Sequence, residues 1–506
     1  MHPITHAAAR PDHAAIVNAT TGDTVTYGEL DAFANRMARW LRARGATRGN
    51  SVGLLLENRP LYLQLVWAAQ RMGAMLVPIA TRLTAPEIGY ILKDAECAIL
   101  LTSPAFADVS SELAQAMPDL EIVDVDDDDF TAEVAAQPAG MIEDPVPGQY
   151  MLYSSGTTGR PKGVRRELPD PDLMVPDSLL NMAISKFGMS EKTVYLSPAP
   201  LYHAAPLRWA MAVQRLGGTV VVMTRFDAEN ALQLIERYQV THSQWVPTHF
   251  VRMLRLPEAA RGRYDLSSHE VAIHAAAPCP IPVKEAMIDW WGPVVFEYYG
   301  GTEGAGFCLI GPEEWLSHKG SVGKSMRGTL RICDENGDEL PVGQIGDVYF
   351  DGGPDFSYHN DPEKTAASMN KHGWRTMGDV GYQDEDGYLY LTDRKKFMII
   401  SGGVNIYPQE IENAFLGHPD VQDVAVFGLP DDEFGEKVIA VIEPRDWASA
   451  DQQLIETLAG YIREKISRVK VPKEIMLEQA LPREPTGKLM KRHLRDELLA
   501  KSSQQS

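Results

Sequence analysis

The feature that most constrains the fold is a repeated alternation of short apolar runs with amphipathic stretches. Val52–Leu56 reads as a buried strand, Leu61–Met72 as a helix, Met75–Ile79 as a second strand, Thr84–Asp94 as a helix and Ala98–Thr102 as a third strand. Thr84 and Glu87 have the spacing of a capping box, in which each side chain satisfies the other's free backbone N–H, so a helix is expected to start there. The pattern returns at Thr219–Met223, then in a helix capped by Asp227 with Ala228, Ala231, Ile235 and Tyr238 on one face, then in a strand over Val240–Val246. Strand–helix alternation of this kind predicts an α/β fold of layered, mostly parallel sheets with helices between them.

From Gly337 the texture shifts to Gly/Asp turns and short strands (Gly346–Phe350, Tyr388–Leu391), which predicts a β-rich subdomain. After the segment Asp393–Ile400 and Gly402-Gly403, the last hundred residues resume a compact α+β pattern. A boundary near Lys395–Lys396 would divide a large N-terminal domain, 1–395, from a small mobile C-terminal domain, 396–506. A chain of 506 residues is too long for one core and accommodates both. With 44% hydrophobic and 23% charged residues, disorder and fibrous architectures are excluded for the bulk of it.

Lys plus Arg number 48 against 69 Asp plus Glu, a formal net charge of −21. Such a chain repels a phosphate backbone, so nucleic acid is a poor partner, although a local cluster of donors can still hold a small anion. The longest charge-free runs, Pro145–Gly159 and Thr193–Leu207, contain Pro or Gly and fall short of the roughly 18 apolar residues that a membrane span needs. Neither a secretory leader nor a lipidation or peroxisomal signal is apparent, and Cys97, Cys279, Cys308 and Cys333 are scattered without a CxxC pair. A cytoplasmic location is the expectation. Asp126–Asp129 reads as a solvated acidic loop, because four successive carboxylates cannot all face one ion.

Chemistry concentrates in a few clusters. Tyr153-Ser154-Ser155-Gly156-Thr157-Thr158-Gly159-Arg160-Pro161-Lys162-Gly163 combines hydroxyls, glycines and a lysine after an apolar segment. Glycines let backbone N–H groups converge on an anion, and the hydroxyls and lysine add donors and charge, although a Gly/Thr surface turn has the same composition. In Glu297-Tyr298-Tyr299-Gly300-Gly301-Thr302-Glu303-Gly304, Glu303 could hold Mg²⁺ against phosphate oxygens and Tyr299 could pack on a flat ligand, although alone this is an ordinary strand-to-loop turn. Gly378-Asp379, Asp393-Arg394-Lys395-Lys396 and Pro485-Thr486-Gly487-Lys488 complete the set.

In this order and spacing, from Thr26-Tyr27-Gly28-Glu29-Leu30 to Gly487-Lys488, the chain resembles the adenylate-forming superfamily over nearly its whole length, and most closely its acyl-CoA synthetases. That family also contains stand-alone adenylation domains and beetle luciferases. The resemblance implies ATP, Mg²⁺ and coenzyme A as cofactors or co-substrates. The implied reaction is conversion of a hydrophobic carboxylic acid to acyl-AMP, then transfer to CoA with release of AMP and pyrophosphate. It implies that Ser154, Ser155, Gly156, Thr157, Thr158, Gly159 and Lys162 embrace the triphosphate. Tyr298, Tyr299, Gly300 and Ala276-Ala277-Pro278 would border adenine, Asp379 the ribose hydroxyls and Arg394 ribose and phosphate. Thr302 would touch the α-phosphate and Glu303 the metal. Lys488 would reach in during adenylation, and Lys396 would be the hinge.

By the same resemblance, Ser401-Gly402-Gly403 lines a pantetheine tunnel and His203 gates the substrate carboxylate. Tyr202, Trp209, Trp245, His249, His274, Gly301 and Phe307 would form the acyl pocket, each histidine having a packing role as its alternative. The chain departs from the family at Met377-Gly378-Asp379, where Thr376 stands one position early, and at Arg165-Arg166, which reads as a solvated basic pair. Transfer to a carrier protein or partner enzyme is the second reading, and a non-catalytic nucleotide sensor the third. Intact Lys162, Glu303, Asp379, Arg394 and Lys488 argue against the sensor.

Overall fold

A computed structural model of the chain describes residues 1–154, 161–353, 356–394, 397–401, 404–431, 434–483 and 489–503. The first expected alternation forms a parallel five-stranded sheet, in the order Glu121–Asp124, Ile99–Thr102, Ser51–Leu54, Met75–Pro78 and Gln149–Tyr150. Met75–Pro78 and Ile99–Thr102 are buried at every position, as strands covered on both faces must be. Thr84 and Glu87 form the expected capping box, the Thr84 N–H donating to Glu87 Oε2 at 2.8 Å, and the helix Ala85–Asp94 starts there. Thr26 and Glu29 form another, opening the helix Tyr27–Ala43.

A second, nine-stranded sheet carries the other alternation. Its order is Lys324–Arg327, Phe307–Ile310, Val295–Tyr299, Val271–His274, His242–Trp245, Val194–Ser197, Thr219–Val222, Ala14–Asn18 and Thr24–Thr26. It is parallel from Val295–Tyr299 across to Ala14–Asn18 and antiparallel at both edges. In such sheets ligands bind outside the carboxyl ends of the strands. Three adjacent carboxyl ends here run into Val246–His249, Ala275–Pro278 and Gly300–Gly304, and all three segments border one large cleft.

The β-rich region is an antiparallel sheet of Thr329–Cys333, Gly346–Asp351, Arg375–Gln383 and Leu389–Arg394. A separate sheet follows, in which Val404–Ile406, Ile399–Ser401, Gly435–Pro444 and Val421–Asp431 lie in that order and Glu474–Leu477 runs parallel to Gly435–Pro444. It has its own core, in which Ile411 and Phe415 of one helix and Leu458 and Ile462 of another cover the strands. The expected boundary at Lys395–Lys396 lies outside the described residues.

The acidic run departs from expectation. Asp127 caps the helix Asp128–Ala136 by accepting from the Asp129 N–H at 2.8 Å, and Asp126 pairs with Arg59 at 2.9 Å. Carboxylates in a first turn oppose the positive end of the helix dipole, so the run starts a helix that buries Phe130 and Val134 instead of looping through solvent. Among the described residues no helix is long and apolar enough to cross a membrane.

Candidate active site

The cleft encloses about 2590 Å³ between the large sheets and the C-terminal sheet. Tyr298 and Tyr299 are neighbours on one strand, so their side chains leave opposite faces and divide the cleft into two walls.

On the Tyr299 side, its hydroxyl donates to Asp379 Oδ2 at 2.6 Å. Asp379 is only 7% exposed and faces Arg394 across the antiparallel ladder. Gly378 makes this possible: its φ of +80° turns the chain, and its N–H donates to Thr376 Oγ1 at 2.9 Å. The early threonine therefore fixes the turn, and Met377 faces the cleft. Ala276, Ala277 and Pro278 border the same cavity. Ala276 has φ +79°, a left-handed conformation costing an alanine on the order of 1–2 kcal/mol.

At the junction of the two walls, the antiparallel pair Leu152–Ser154 and Lys162–Arg165 brackets the glycine-rich motif, with Ser154 opposite Lys162. Lys162 borders the cavity, whereas Ser155, Gly156, Thr157, Thr158 and Gly159 lie outside the described residues. Glu303 Oε1 accepts from the Tyr358 hydroxyl at 3.0 Å. The Thr302 carbonyl accepts from Arg166 Nη2 at 3.0 Å. Gly304 has φ +70°, and a Cβ there would stand 2.6 Å from the Arg166 guanidinium, so only glycine fits beside it. Gly301 is equally confined, because a Cβ would meet Glu303 Oε2 and Met377 Sδ at 2.7 Å each.

On the Tyr298 side, the Tyr298 ring stacks on Phe307 at 5.0 Å and tilts against Trp209 at 6.3 Å. His203 precedes the helix Ala204–Leu216, with its ring 4.4 Å from that of Tyr202. Tyr202, His203, Trp209, Gly300, Gly301 and Phe307 all border the cleft. His249 does too, stacked on Phe226 at 4.0 Å, and burial, then Arg252, pull its imidazole down to about 3.

Trp245 and His274 correct the expectation. Both are fully buried and neither borders the cleft. Trp245 Nε1 donates to Ser243 Oγ at 2.5 Å, and that hydroxyl lies 2.6 Å from His269 Nε2, which fixes the indole in the core. His274 packs edge-on against Phe250, and its Nε2 lies 3.5 Å from Glu297 Oε2. Glu297 itself takes a 2.6 Å bond from the buried Lys284 ammonium. Burial pushes the Glu297 carboxyl up, with Lys284 opposing, and depresses His274 well below the ordinary histidine range.

The C-terminal sheet closes the cleft, with Leu489, Met490 and Lys491 among the residues facing it. Lys488 and Lys396 lie outside the described residues, as do Gly402 and Gly403. Arg483 grips Asp423 at 2.7 and 2.5 Å, Leu489 bridges back to Arg483, and Lys491 pairs with the buried Glu412 at 2.7 Å. Ser401 is buried in its own sheet and does not border the cleft.

The Arg165-Arg166 reading holds only in half. Arg165 is exposed, but Arg166 turns into the cleft, where burial, then Arg208 and Arg327, lower its guanidinium to about 10. Arg208 and Arg327 border the cleft as well and carried no sequence signal, standing alone in an amphipathic helix and at the end of a short strand.

A two-wall cleft at the carboxyl ends of a parallel sheet, one wall ending in a buried carboxylate and the other in aromatic rings, has the form of a ligand site in an α/β enzyme. The comparisons agree. Residues 4–354 match the AMP-binding enzyme family and 410–488 the AMP-binding enzyme C-terminal domain, so the chain belongs to that family, in its acyl-CoA synthetase branch, and is an ATP-dependent acid–thiol ligase. It is 33% identical to the long-chain-fatty-acid–CoA ligase FadD13 of Mycobacterium tuberculosis, over 98% of this chain and 97% of that protein. It is 30% identical to the fatty acid–[acyl-carrier-protein] ligase ScoC of Streptomyces coeruleorubidus, over 97% and 94%. The solved o-succinylbenzoate CoA synthetase of Bacillus subtilis with its acyl-adenylate superposes with a TM-score of 0.82, at 28% identity, over 98% of this chain and 97% of that one.

Proposed function

We propose that the acid is predominantly apolar, that coenzyme A is the acceptor, and that the two walls around Tyr298 and Tyr299 hold acid and nucleotide respectively. The observation that carries this is the strand-alternation of that pair, one ring bonded to a buried carboxylate and the next stacked among aromatics. In the first half-reaction an acid oxygen bonds to the α-phosphorus of ATP and the α–β bridge breaks, releasing pyrophosphate. Asp379, supported by Tyr299, accepts from the ribose hydroxyls. Lys162 and Lys488 stabilise the charge that develops on phosphate oxygens, where donors fixed in advance are most effective. In the second, the CoA sulfur bonds to the acyl carbon, AMP leaves with the electron pair and the thiol proton goes to solvent. Withdrawal of Lys488 about the Lys396 hinge and presentation of Ser401-Gly402-Gly403 would serve this step.

Mg²⁺ fits Glu303. Tyr358 occupies one carboxylate oxygen, and Glu303 borders the cleft. A single carboxylate plus substrate phosphates is a usual Mg²⁺ ligand set, and the ion would offset phosphate charge.

Pyrophosphate release across a panel of carboxylic acids, with thioester detected by mass in the same samples, tests the reading. Pyrophosphate and thioester should rise together for one acid class. The similarity to a carrier-protein ligase favours one second reading, transfer to a carrier in trans. Acyl-AMP that persists despite added CoA would select it.

A further inference from the structure

On the Tyr298 side of the cleft the apolar wall ends in three arginines. Arg208 lies in the first turns of the helix Ala204–Leu216, next to Trp209. Arg327 ends the strand Lys324–Arg327 and donates from Nη1 to Ser178 Oγ at 3.1 Å. Arg166 follows the strand Lys162–Arg165 and is held by the Thr302 carbonyl. All three border the cavity, and among the described residues none forms an ion pair. Burial, then Arg208 and Arg327, disfavours the charged form of Arg166, and burial, then Arg208, does the same to Arg327.

Two carboxylates face the cluster. Asp177 is engaged elsewhere, capping the helix Ser178–Phe187 through the Leu180 N–H at 2.8 Å and lying 3.5 Å from Arg215. Glu303 accepts from Tyr358 and belongs to the phosphate junction. Arg166 and Arg208 are half-buried and Arg327 stands at the exposed rim, so the cleft holds like charges whose mutual repulsion an anion would relieve. Arg208 and Arg327 stand on the Tyr298 side, Arg208 close enough to act on the Tyr298 hydroxyl and Arg327 opposite Phe307 in the antiparallel ladder.

Resting on the ligase reading above, we propose that the acid carries a second anionic group, remote from the carboxylate that is adenylated, and that Arg208 and Arg327 bind it, while Arg166 stays at the phosphate junction with the Thr302 carbonyl. The substrate class is then a dicarboxylic acid, or an acid with a distal sulfate or phosphate, whose apolar body crosses Trp209, Tyr298 and Phe307. Guanidinium forks suit such groups because they donate two parallel bonds to one carboxylate or phosphate.

The test uses the full chain and pairs of acids identical except at the far end, a free dicarboxylic acid against its mono-methyl ester. Pyrophosphate release should favour the diacid by on the order of 10–100-fold in kcat/KM, the range expected of charge-assisted bonds. In Arg208→Leu that ratio should collapse toward one, with partial recovery in Arg208→Lys. Arg327→Leu, at the exposed rim where folding is safe, should lower the ratio in the same direction. Equal losses for both acids, or a raised KM for ATP with the ratio intact, would overturn the proposal and assign the arginines to the triphosphate. Ester-favouring release across all pairs would also overturn it while leaving the ligase reading standing. No acid-dependent pyrophosphate from any pair would sink the ligase reading itself.

Discussion

At the scale of single residues, the Tyr299–Asp379 bond is the most exacting feature of the nucleotide wall. A phenol donating at 2.6 Å to a carboxylate that is almost wholly buried orients both of its oxygens before any ligand arrives. Removing the donor leaves the carboxylate in place but less restrained. Tyr299→Phe should therefore raise the KM for ATP by on the order of 10-fold, while Asp379→Ala, which removes the acceptor, should raise it by about 100-fold. Initial rates of pyrophosphate release against ATP concentration check both, and an unchanged KM in Asp379→Ala would refute the ribose assignment. A second residue-scale prediction concerns acid. His249 and His269 are both buried, and burial first pulls each down to about 3, against about 6.5 in an unfolded chain. Between those values the unfolded state binds more protons than the folded one, so stability rises with pH across this window and falls as pH drops below about 6.5. Each site then costs about 1.4 kcal/mol per pH unit of acidification. His249→Phe should flatten the loss of urea midpoint between pH 7 and pH 5, and a slope equal to wild type would show that His249 is protonated in the fold.

At the scale of elements, Lys284 and Glu297 join the helix Ile281–Trp291 to the strand that carries Tyr298 and Tyr299. Both side chains are out of solvent, and the bond between them offsets the cost of burying the pair. Lys284→Met alone should destabilise by about 3–5 kcal/mol, because Glu297 is then an unpaired buried carboxylate. The double substitution with Glu297→Leu should recover most of that loss, and chemical denaturation of the three proteins decides. If the single and double variants are equally unstable, packing and not the charge pair holds the strand. Elements were also where the sequence was most readable. Runs such as Ile99–Thr102 and Thr219–Val222 are mostly apolar and buried at every position because both sheet faces are covered, and the capping residues Thr84 and Asp227 mark helix starts through local bonds alone. What escaped reading depends on partners distant in the chain. Arg166 is bound by a carbonyl 136 residues away, Trp245 is held in the core by Ser243 and His269, and His274 faces Glu297, so none of their environments is written in the neighbouring sequence. The acidic run at Asp126–Asp129 was legible in principle, since Phe130 and Val134 follow at helical spacing.

At the scale of the whole molecule, the cleft draws on the large N-terminal sheets and on the C-terminal sheet with its separate core, and the C-terminal one presents Leu489, Met490 and Lys491 to the cleft. That segment is fixed to its own sheet by Arg483–Asp423 and Lys491–Glu412, so it can move only with the entire C-terminal unit. On the proposed reading, Lys488 acts in adenylation and is withdrawn for thioester formation, because the two half-reactions need opposite things: charge on the phosphates first, and an open path for a thiol afterwards. Lys488→Ala should lower acid-dependent pyrophosphate release by on the order of 10²–10³-fold, the usual loss for one preorganised donor of charge stabilisation. Thioester formation from supplied acyl-AMP should persist within a few-fold, because no phosphate charge develops toward pyrophosphate in that step. Rapid-quench measurement of the two halves on the same preparation distinguishes the outcomes. Equal loss in both would mean that Lys488 holds the domain arrangement common to the two steps, and the assignment of alternating roles to the C-terminal unit would fall with it.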